Sequence, residues 1–173
     1  MSQVPVGPLT MQGYEPPRNT QFSVFLDNRV GKLLELIEVF DGHDLKLVAL
    51  SVVDSADHAV VRLVTSRSVL ARRLLRRHDL PFSEADVLVV ELGQGKTLAK
   101  LCQSLLSAEL NIHYAYPLMA LPRGVATIVL HTDDQLLAGQ ILRRKLFTLL
   151  AENDLGENAT GSGPGAPTEP TPN

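Results

Sequence analysis

The chain has 173 residues and a formal net charge of −3, and 45% of its residues are hydrophobic. This length suits one ordinary domain or two very small ones, and the apolar content allows a buried core. The small negative charge gives no reason to expect a general nucleic-acid or membrane binder, and the single cysteine excludes an intrachain disulfide and a paired-cysteine metal site.

The two ends of the chain have the composition of disordered segments. Residues 1–19 combine Pro, Gly and polar residues without hydrophobic periodicity, and residues 156–173 contain no large apolar residue. Neither segment can bury enough apolar surface to offset the entropy of ordering, so we predict that both are disordered. The start lacks the pattern of a secretory signal, and no apolar stretch reaches the roughly 18–20 residues of a membrane span. We therefore expect a soluble, cytoplasmic protein without membrane contact.

Between these ends, the pattern predicts the order strand, helix, strand, strand, helix, strand, twice over. In the first copy the predicted elements are strand 22–26, a helix within 33–47, strands 47–53 and 59–65, helix 67–78 and strand 82–87. In the second copy they are strand 87–92, a helix within 98–112, strands 112–118 and 125–132, helix 134–146 and strand 147–154.

The two copies also align in sequence. Residues 33–47 and 98–112 match without gaps at a shift of 65 residues, with large apolar residues at the same positions. The element order is that of the ferredoxin-like βαββαβ unit, an antiparallel sheet with two helices on one face. Because a unit this small is marginal alone, we predict an α+β protein in which two such units, residues 20–86 and 87–155, pack together.

The segment Gly93–Gln94–Gly95–Lys96–Thr97 follows a strand and precedes a helix, as a phosphate-binding loop does. However, Val90 stands where that motif needs its first glycine, and the loop is too short to wrap a phosphate. The first copy has a related turn, residues 27–32, without any likeness to a nucleotide site. The repeat therefore favours a structural or ligand-binding turn over an NTPase.

Two interpretations of the first turn stay open on chemical grounds. Gly31 can permit a backbone conformation that a β-carbon forbids. Alternatively, the free amides and the positive dipole end at the helix start can receive a carboxylate.

The strands, the Asn-Arg-x-Gly-Lys-Leu turn (residues 28–33) and the Leu-Asn-Ile strand start (residues 110–112) together resemble tandem ACT domains. ACT domains are regulatory modules of the split βαβ fold that bind amino acids where two ACT units meet. The chain departs from the family pattern at Val30, where Pro is common, and in a second turn with one extra residue. The resemblance places these residues beside an effector: Asn28, Arg29, Gly31, Lys32, Leu33, Gly95, Lys96, Thr97, Asn111 and His113.

The resemblance implies a non-catalytic regulatory protein that binds an amino acid or similar small effector. It also implies a homodimer, and control of a biosynthetic enzyme such as acetolactate synthase, whose regulatory subunits are similar. The alternative is a protein–protein interaction subunit without a small-molecule ligand.

Other candidate chemistry is weak. The arginines in residues 67–78 fit either a solvated helix face or a docking surface for an acidic partner. The same fold serves RNA-binding modules, but strands 59–65 and 125–132 lack their aromatic residues, so we expect no nucleic-acid partner. The scattered histidines offer no metal ligand set, and no cofactor is indicated. Cys102 lies among leucines and is predicted to be in the core.

Overall fold

A computed structural model describes residues 15–54 and 58–156 of the chain. The strands are β1 (Asn19–Asp27), β2 (Leu47–Asp54), β3 (His58–Thr65), β4 (Phe82–Leu92), β5 (Ile112–Pro117) and β6 (Ala126–Thr132). The helices are α1 (Lys32–Glu38), α2 (Ser68–Arg77), α3 (Leu98–Leu106), α4 (Gln135–Arg144) and α5 (Glu152–Leu155).

The strands form one six-stranded antiparallel sheet in the order β2-β3-β1-β4-β6-β5. Strand β4 belongs to both units. Its first half pairs with β1, from Phe82 opposite Val24 to Val87 opposite Asn19, and its second half, from Leu88, pairs with β6. The predicted α+β fold of two ferredoxin-like units is therefore confirmed, and one continuous strand crosses the predicted boundary between residues 86 and 87.

The last strand of the second unit is much shorter than the predicted 147–154. Only a single bridge joins Leu149 to Val90, flanked by the backbone bond from the Leu150 amide to the Val89 carbonyl at 2.9 Å. The chain then turns into α5, whose start is fixed by a bond of 2.7 Å from the Ala151 amide to the Asp154 carboxylate. Acidic residues in the first turn of a helix favour this ending over an extended strand.

The helices pack against the outer face of the sheet in two separate clusters. In the first unit, α1 and α2 cover the alternate residues Phe22, Val24 and Leu26 of β1. In the second unit, α3 and α4 cover Leu88 and Val90 of β4. These even-numbered positions of β1 and β4 share one face of the sheet, so each unit builds its own helix-covered core on that face.

The inner face of the sheet forms a third cluster, which belongs to both units. The sheet curls until its two edges meet, with a bridge between Ala49 after the start of β2 and Leu118 after β5. The Met119 amide also donates to the Val48 carbonyl at 2.9 Å. The enclosed side chains come from both units: Val48, Ala49, Val64, Val87, Val89, Tyr116, Leu118, Val129, Leu150 and Leu155.

The inner cluster contains a buried polar bridge between the units. The Gln21 side chain is fully buried. Its amide nitrogen donates to the Tyr114 hydroxyl at 2.8 Å, and its amide oxygen accepts from the Tyr116 hydroxyl at 2.7 Å. The Arg62 guanidinium lies 3.9 Å from the centroid of the Tyr114 ring. Burial raises the pKa of the Tyr116 phenol, so this group stays protonated and able to donate.

The end of the predicted disordered leader has defined structure. Asn19 is already part of β1, and Pro16 is buried against Gly139 of α4. The Glu15 carbonyl accepts a bond of 3.3 Å from the Arg143 guanidinium. Residues 15–19 therefore have a defined position in the structure, where Gly139 of α4 leaves room for the ring of Pro16. Residues 1–14 and 157–173 lie outside the described residues.

Cys102 was predicted to lie in the core, and that prediction is wrong. Its side chain is exposed on α3, where only Leu101 and Leu105 are buried. The neighbouring Leu98 and Leu106 are 52% and 74% exposed, so the apolar surroundings of Cys102 do not mark the buried face. No helix among the described residues is long and apolar enough to cross a membrane.

Candidate functional site

The two strand-to-helix turns lie at opposite ends of the molecule. The first turn follows Asp27 at the end of β1, and the second follows Leu92 at the end of β4. Since β1 and β4 run antiparallel with Asn19 opposite Val87, these strand ends point away from each other. At about 3.3 Å per residue of strand, they are on the order of 40 Å apart. The two turns of one chain therefore cannot contribute to one site.

The first turn, residues 28–31, has an open backbone. Gly31 has a φ of 89° and is the N-cap of α1, with no side chain capping the helix. A β-carbon at Gly31 would meet no atom of the described residues within 4 Å, so the glycine is required by its conformation. Asn28 donates to the Asp54 carboxylate at 2.8 Å, and Arg29 donates to the Asp27 carboxylate at 2.6 Å. These polar contacts hold the turn against the ends of β1 and β2.

Beside the first turn is a groove of about 320 Å³ between α1 and residues 78–81, which connect α2 to β4. We call it the first groove. It has an apolar wall that includes Phe25, Leu26, Leu36 and Leu80. Of the residues predicted for this site, Lys32 lines the groove, whereas Leu33 is 40% exposed outside it.

The first groove carries both signs of charge. Lys32 lies on the same wall as Glu35, and its ammonium group donates to that carboxylate at 2.6 Å. Asp27 and His78 complete the polar part of the lining. The groove therefore offers a cation and two carboxylates next to an apolar wall.

The second turn, residues 93–97, is one residue longer and has a different conformation. Gln94 and Gly95 both have positive φ values, 46° and 80°. Thr97 is the N-cap of α3, and its hydroxyl accepts a bond of 3.2 Å from the Lys100 amide. A β-carbon at Gly93 would lie 2.7 Å from the Val125 side chain, so this glycine is required by close packing. The start of α3 is thus capped by its own threonine, unlike that of α1.

Beside the second turn is a groove of about 350 Å³ between α3 and residues 145–147, which follow α4. We call it the second groove. Lys96, Lys100 and Lys145 line it, together with polar residues of α3 and the ring of Phe147. The Lys96 ammonium donates to the Lys145 carbonyl at 2.6 Å, and that of Lys100 donates to the Gly95 carbonyl at 2.8 Å.

Asn111 and His113 lie away from the second turn. The Asn111 backbone amide donates to the Asp133 carboxylate, and the Asp133 backbone amide donates to the Asn111 carbonyl, both at 3.2 Å. The centroid of the His113 ring lies 5.5 Å from that of the His131 ring. Along β6, Thr132 faces Ile112 and Ala126 faces Leu92. Six residues of strand, about 20 Å, therefore separate these side chains from the turn. Within one chain the structure does not bring them to Gly95, Lys96 and Thr97.

Sequence reasoning missed the residues that complete both grooves. Asp27 and Glu35 flank the predicted first site, and Lys100 lies four residues after Lys96 in the chain. The short separation between Lys96, just before the N-cap Thr97, and Lys100 in the first turn of α3 was the available signal for a basic surface at the helix start. No local signal indicates Lys145 or Leu80, because tertiary packing brings them to α3 and α1.

Comparison with known proteins gives a family and a set of structural relatives. A family model described as "ACT domain pair" matches residues 18–159. Protein BT0572 from Bacteroides thetaiotaomicron is 27% identical, with a TM-score of 0.73 over 83% of this chain and 99% of that chain. No match was found among curated proteins.

Two further solved structures share the fold at lower identity. The ligand-free regulatory subunit of aspartate kinase from Thermus thermophilus is 8% identical, with a TM-score of 0.50 over 75% of this chain and 93% of that chain. The same subunit from Thermus flavus is 11% identical, with a TM-score of 0.50 over 76% and 94%.

Proposed function

This chain belongs to the ACT domain pair family, and we propose that it is a non-catalytic regulatory protein that binds an amino acid or a similar small effector. The effector site is the first groove together with the Gly31 turn. The observation that carries this proposal is the combination of both charge signs with an apolar wall beside an open turn.

A free amino acid has the chemistry that the first groove complements. Its carboxylate can pair with the Lys32 ammonium and its ammonium group with Asp27 or Glu35, both of which line the groove with Lys32. The apolar wall that includes Phe25 and Leu80 then suits an apolar side chain. We therefore propose that the effector is an amino acid with an aliphatic or aromatic side chain.

We propose that the working form is a homodimer. Each first turn is exposed in the single chain, and the second turn is on the order of 40 Å away along the strands. A second ACT unit can therefore face the first turn only if it comes from another chain. The resemblance to ACT proteins, whose sites form where two units meet, supports this arrangement.

For the partner, we propose an amino-acid biosynthetic enzyme. Acetolactate synthase is the example that the sequence resemblance supplies, and aspartate kinase is named for two proteins that share the fold. Because those two are less than 25% identical, they support the fold and not the identity of the enzyme. Co-purification of the full chain with candidate enzymes, with and without the effector, identifies the partner.

The effector site is tested by thermal-shift and calorimetric screening of the full chain against the proteinogenic amino acids. We expect at least one apolar amino acid to stabilise the protein saturably. Gly31→Val should abolish this stabilisation, since its side chain would occupy the open turn and strain a φ of 89°. Gly95→Val is the matched control: it strains the other turn, where φ is 80°, and should leave effector binding intact. A flat response to every amino acid contradicts the proposal.

The exposed arginines of α2 favour a second function, the binding of a partner protein. Arg73, Arg76 and Arg77 are exposed on this helix, and Arg73 and Arg77 form no ion pair among the described residues. This surface suits an acidic partner protein and requires no small ligand. Capture of an enzyme that is unaffected by any amino acid, and is lost in Arg73→Glu, would favour this function over effector binding.

A further inference from the structure

The second groove has a chemistry that amino-acid binding does not use. We propose that it binds a small anion with more than one negative charge, of the phosphorylated or polycarboxylate kind. This site is separate from the first groove, at the other end of the sheet, and would give the protein a second, chemically different input.

The side chains that line the second groove include three basic ones. Lys96, Lys100 and Lys145 face one groove, and none of the described residues that line it carries a carboxylate. Within residues 15–54 and 58–156, none of the three lysines forms an ion pair. Three like charges in one groove repel each other, and an anion between them removes that repulsion. A bound monoanion would leave most of the charge uncompensated, so the lining suits a multivalent anion.

Backbone carbonyls fix the positions of two of the three ammonium groups. Lys96 is held by the Lys145 carbonyl at 2.6 Å and Lys100 by the Gly95 carbonyl at 2.8 Å. An ammonium group has three N–H donors, so each keeps two for a ligand while its position is fixed by the backbone. The Gln103 amide adds uncharged hydrogen-bonding groups to the same wall. A volume of about 350 Å³ accommodates a small metabolite.

A purely structural role explains two of the three lysines and leaves Lys145 unexplained. Lys96 bonds to the carbonyl of Lys145, the C-cap residue of α4, and so satisfies a free carbonyl at a helix end. Lys100 likewise bonds to the Gly95 carbonyl of the second turn, but neither contact requires Lys145 itself to be basic. The equivalent groove of the first unit shows the difference, since there Lys32 is neutralised by Glu35 and His78 occupies the place of Lys145.

The test is calorimetric titration of the full chain with pyrophosphate and, separately, with citrate, at constant ionic strength. Constant ionic strength removes general screening as an explanation of any change. We expect saturable binding of at least one probe, and the stronger of the two assigns the natural ligand to the phosphate or the carboxylate source. Lys100→Gln and Lys145→Gln should each weaken binding by about tenfold, the loss expected for one charge-assisted hydrogen bond.

Lys46→Gln is the matched control, because it removes the same charge from an exposed position outside both grooves. It should leave the affinity for both probes unchanged, while circular dichroism checks that all variants are folded. The proposal is overturned if neither probe binds saturably, or if Lys46→Gln weakens binding as much as the second-groove variants do.

Discussion

In the first ACT unit, the groove beside the strand-to-helix turn is lined by Asp27, Lys32 and Glu35, whereas the equivalent groove of the second unit is lined by Lys96, Lys100 and Lys145. Both grooves lie between the first helix of the unit and the residues that follow its second helix. The shared fold therefore fixes where a groove forms, and side chains that the fold leaves free decide what it can bind.

The buried positions of the two units have diverged much less. Leu36 of α1 and Leu101 of α3 are both fully buried and both point into the helix-covered core of their unit. The two cores are joined by β4 and by the shared inner cluster, which contains residues of both units. We therefore expect that damage to either core weakens the whole protein.

The substitutions Leu36→Ala and Leu101→Ala should have the largest effect on the stability of the protein. Each should lower the free energy of unfolding by about 2–5 kcal/mol, the loss expected for a buried leucine with its cavity. Urea denaturation followed by circular dichroism should show one transition in both variants, with its midpoint shifted by similar amounts. The exposed Leu34→Ala is the control and should change little. Two separated transitions in either variant would show that the units unfold independently.

The helices of both units and the order of their elements could be predicted from sequence, because hydrophobic periodicity is local information. The α2 and α4 patterns gave helices within one or two residues of Ser68–Arg77 and Gln135–Arg144. Likewise the gapless repeat predicted two units. The ferredoxin-like prediction is confirmed for this reason, since the order of elements determines the fold class.

The features that could not be predicted from the sequence are those that depend on tertiary contacts. Residues 82–87 and 87–92 were predicted as two strands, and only the flanking β1 and β6 reveal that they form one. Closure of the sheet at Ala49 and Leu118 joins residues far apart in the chain. Lys145 is likewise brought to the second groove by tertiary packing. Of the basic lining residues, the sequence could therefore indicate only the neighbours Lys96 and Lys100.

The polar bridge between the units is the next feature that can be broken. Tyr116→Phe removes the hydroxyl that donates to the buried Gln21 amide oxygen. Leaving that acceptor without a partner should lower the free energy of unfolding by about 1–3 kcal/mol. Gln21→Leu combined with Tyr116→Phe is the control, because it removes both partners and should recover part of the loss. Denaturation of the single and double variants measures the coupling, and additive losses would contradict it.

The stability contributed by the hydrogen bond between Tyr116 and Gln21 should depend on pH. The pKa of Tyr116 in the folded protein is raised by burial above the unfolded value of about 10. Its contribution to stability is therefore fully present below that unfolded pKa and is lost as pH rises through the folded pKa. The stability difference between the native chain and Tyr116→Phe should be constant near neutrality and shrink in alkaline solution. A difference that grows with alkaline pH would contradict the assignment.

The smallest predicted effect concerns how each unit attaches its second helix. In the first unit, Arg72 of α2 donates to both oxygens of Glu84 on β4, at 2.6 and 2.7 Å. In the second unit the equivalent helix position is Gly139, which packs against Pro16. At this position an ion pair joins α2 to the sheet, whereas a close apolar contact joins α4 to Pro16. Only the stability contributed by the ion pair should therefore decrease in acid.

The Arg72 hydrogen bond holds the pKa of Glu84 below its usual value of about 4.3. A lowered pKa means that the contribution to stability is present above the unfolded pKa and is lost as pH falls through the folded pKa. Glu84→Gln should therefore lower the free energy of unfolding by about 0.5–1 kcal/mol at neutral pH, a small value because both side chains are partly solvated. This deficit should disappear in acid, whereas Glu38→Gln, at an exposed position without an ion pair among the described residues, should show no such dependence. If the loss of unfolding free energy in Glu84→Gln is the same in acid, the Glu84 side chain stabilises α2 by packing and not by its charge. The second helices of both units would then be held to the protein by packing alone.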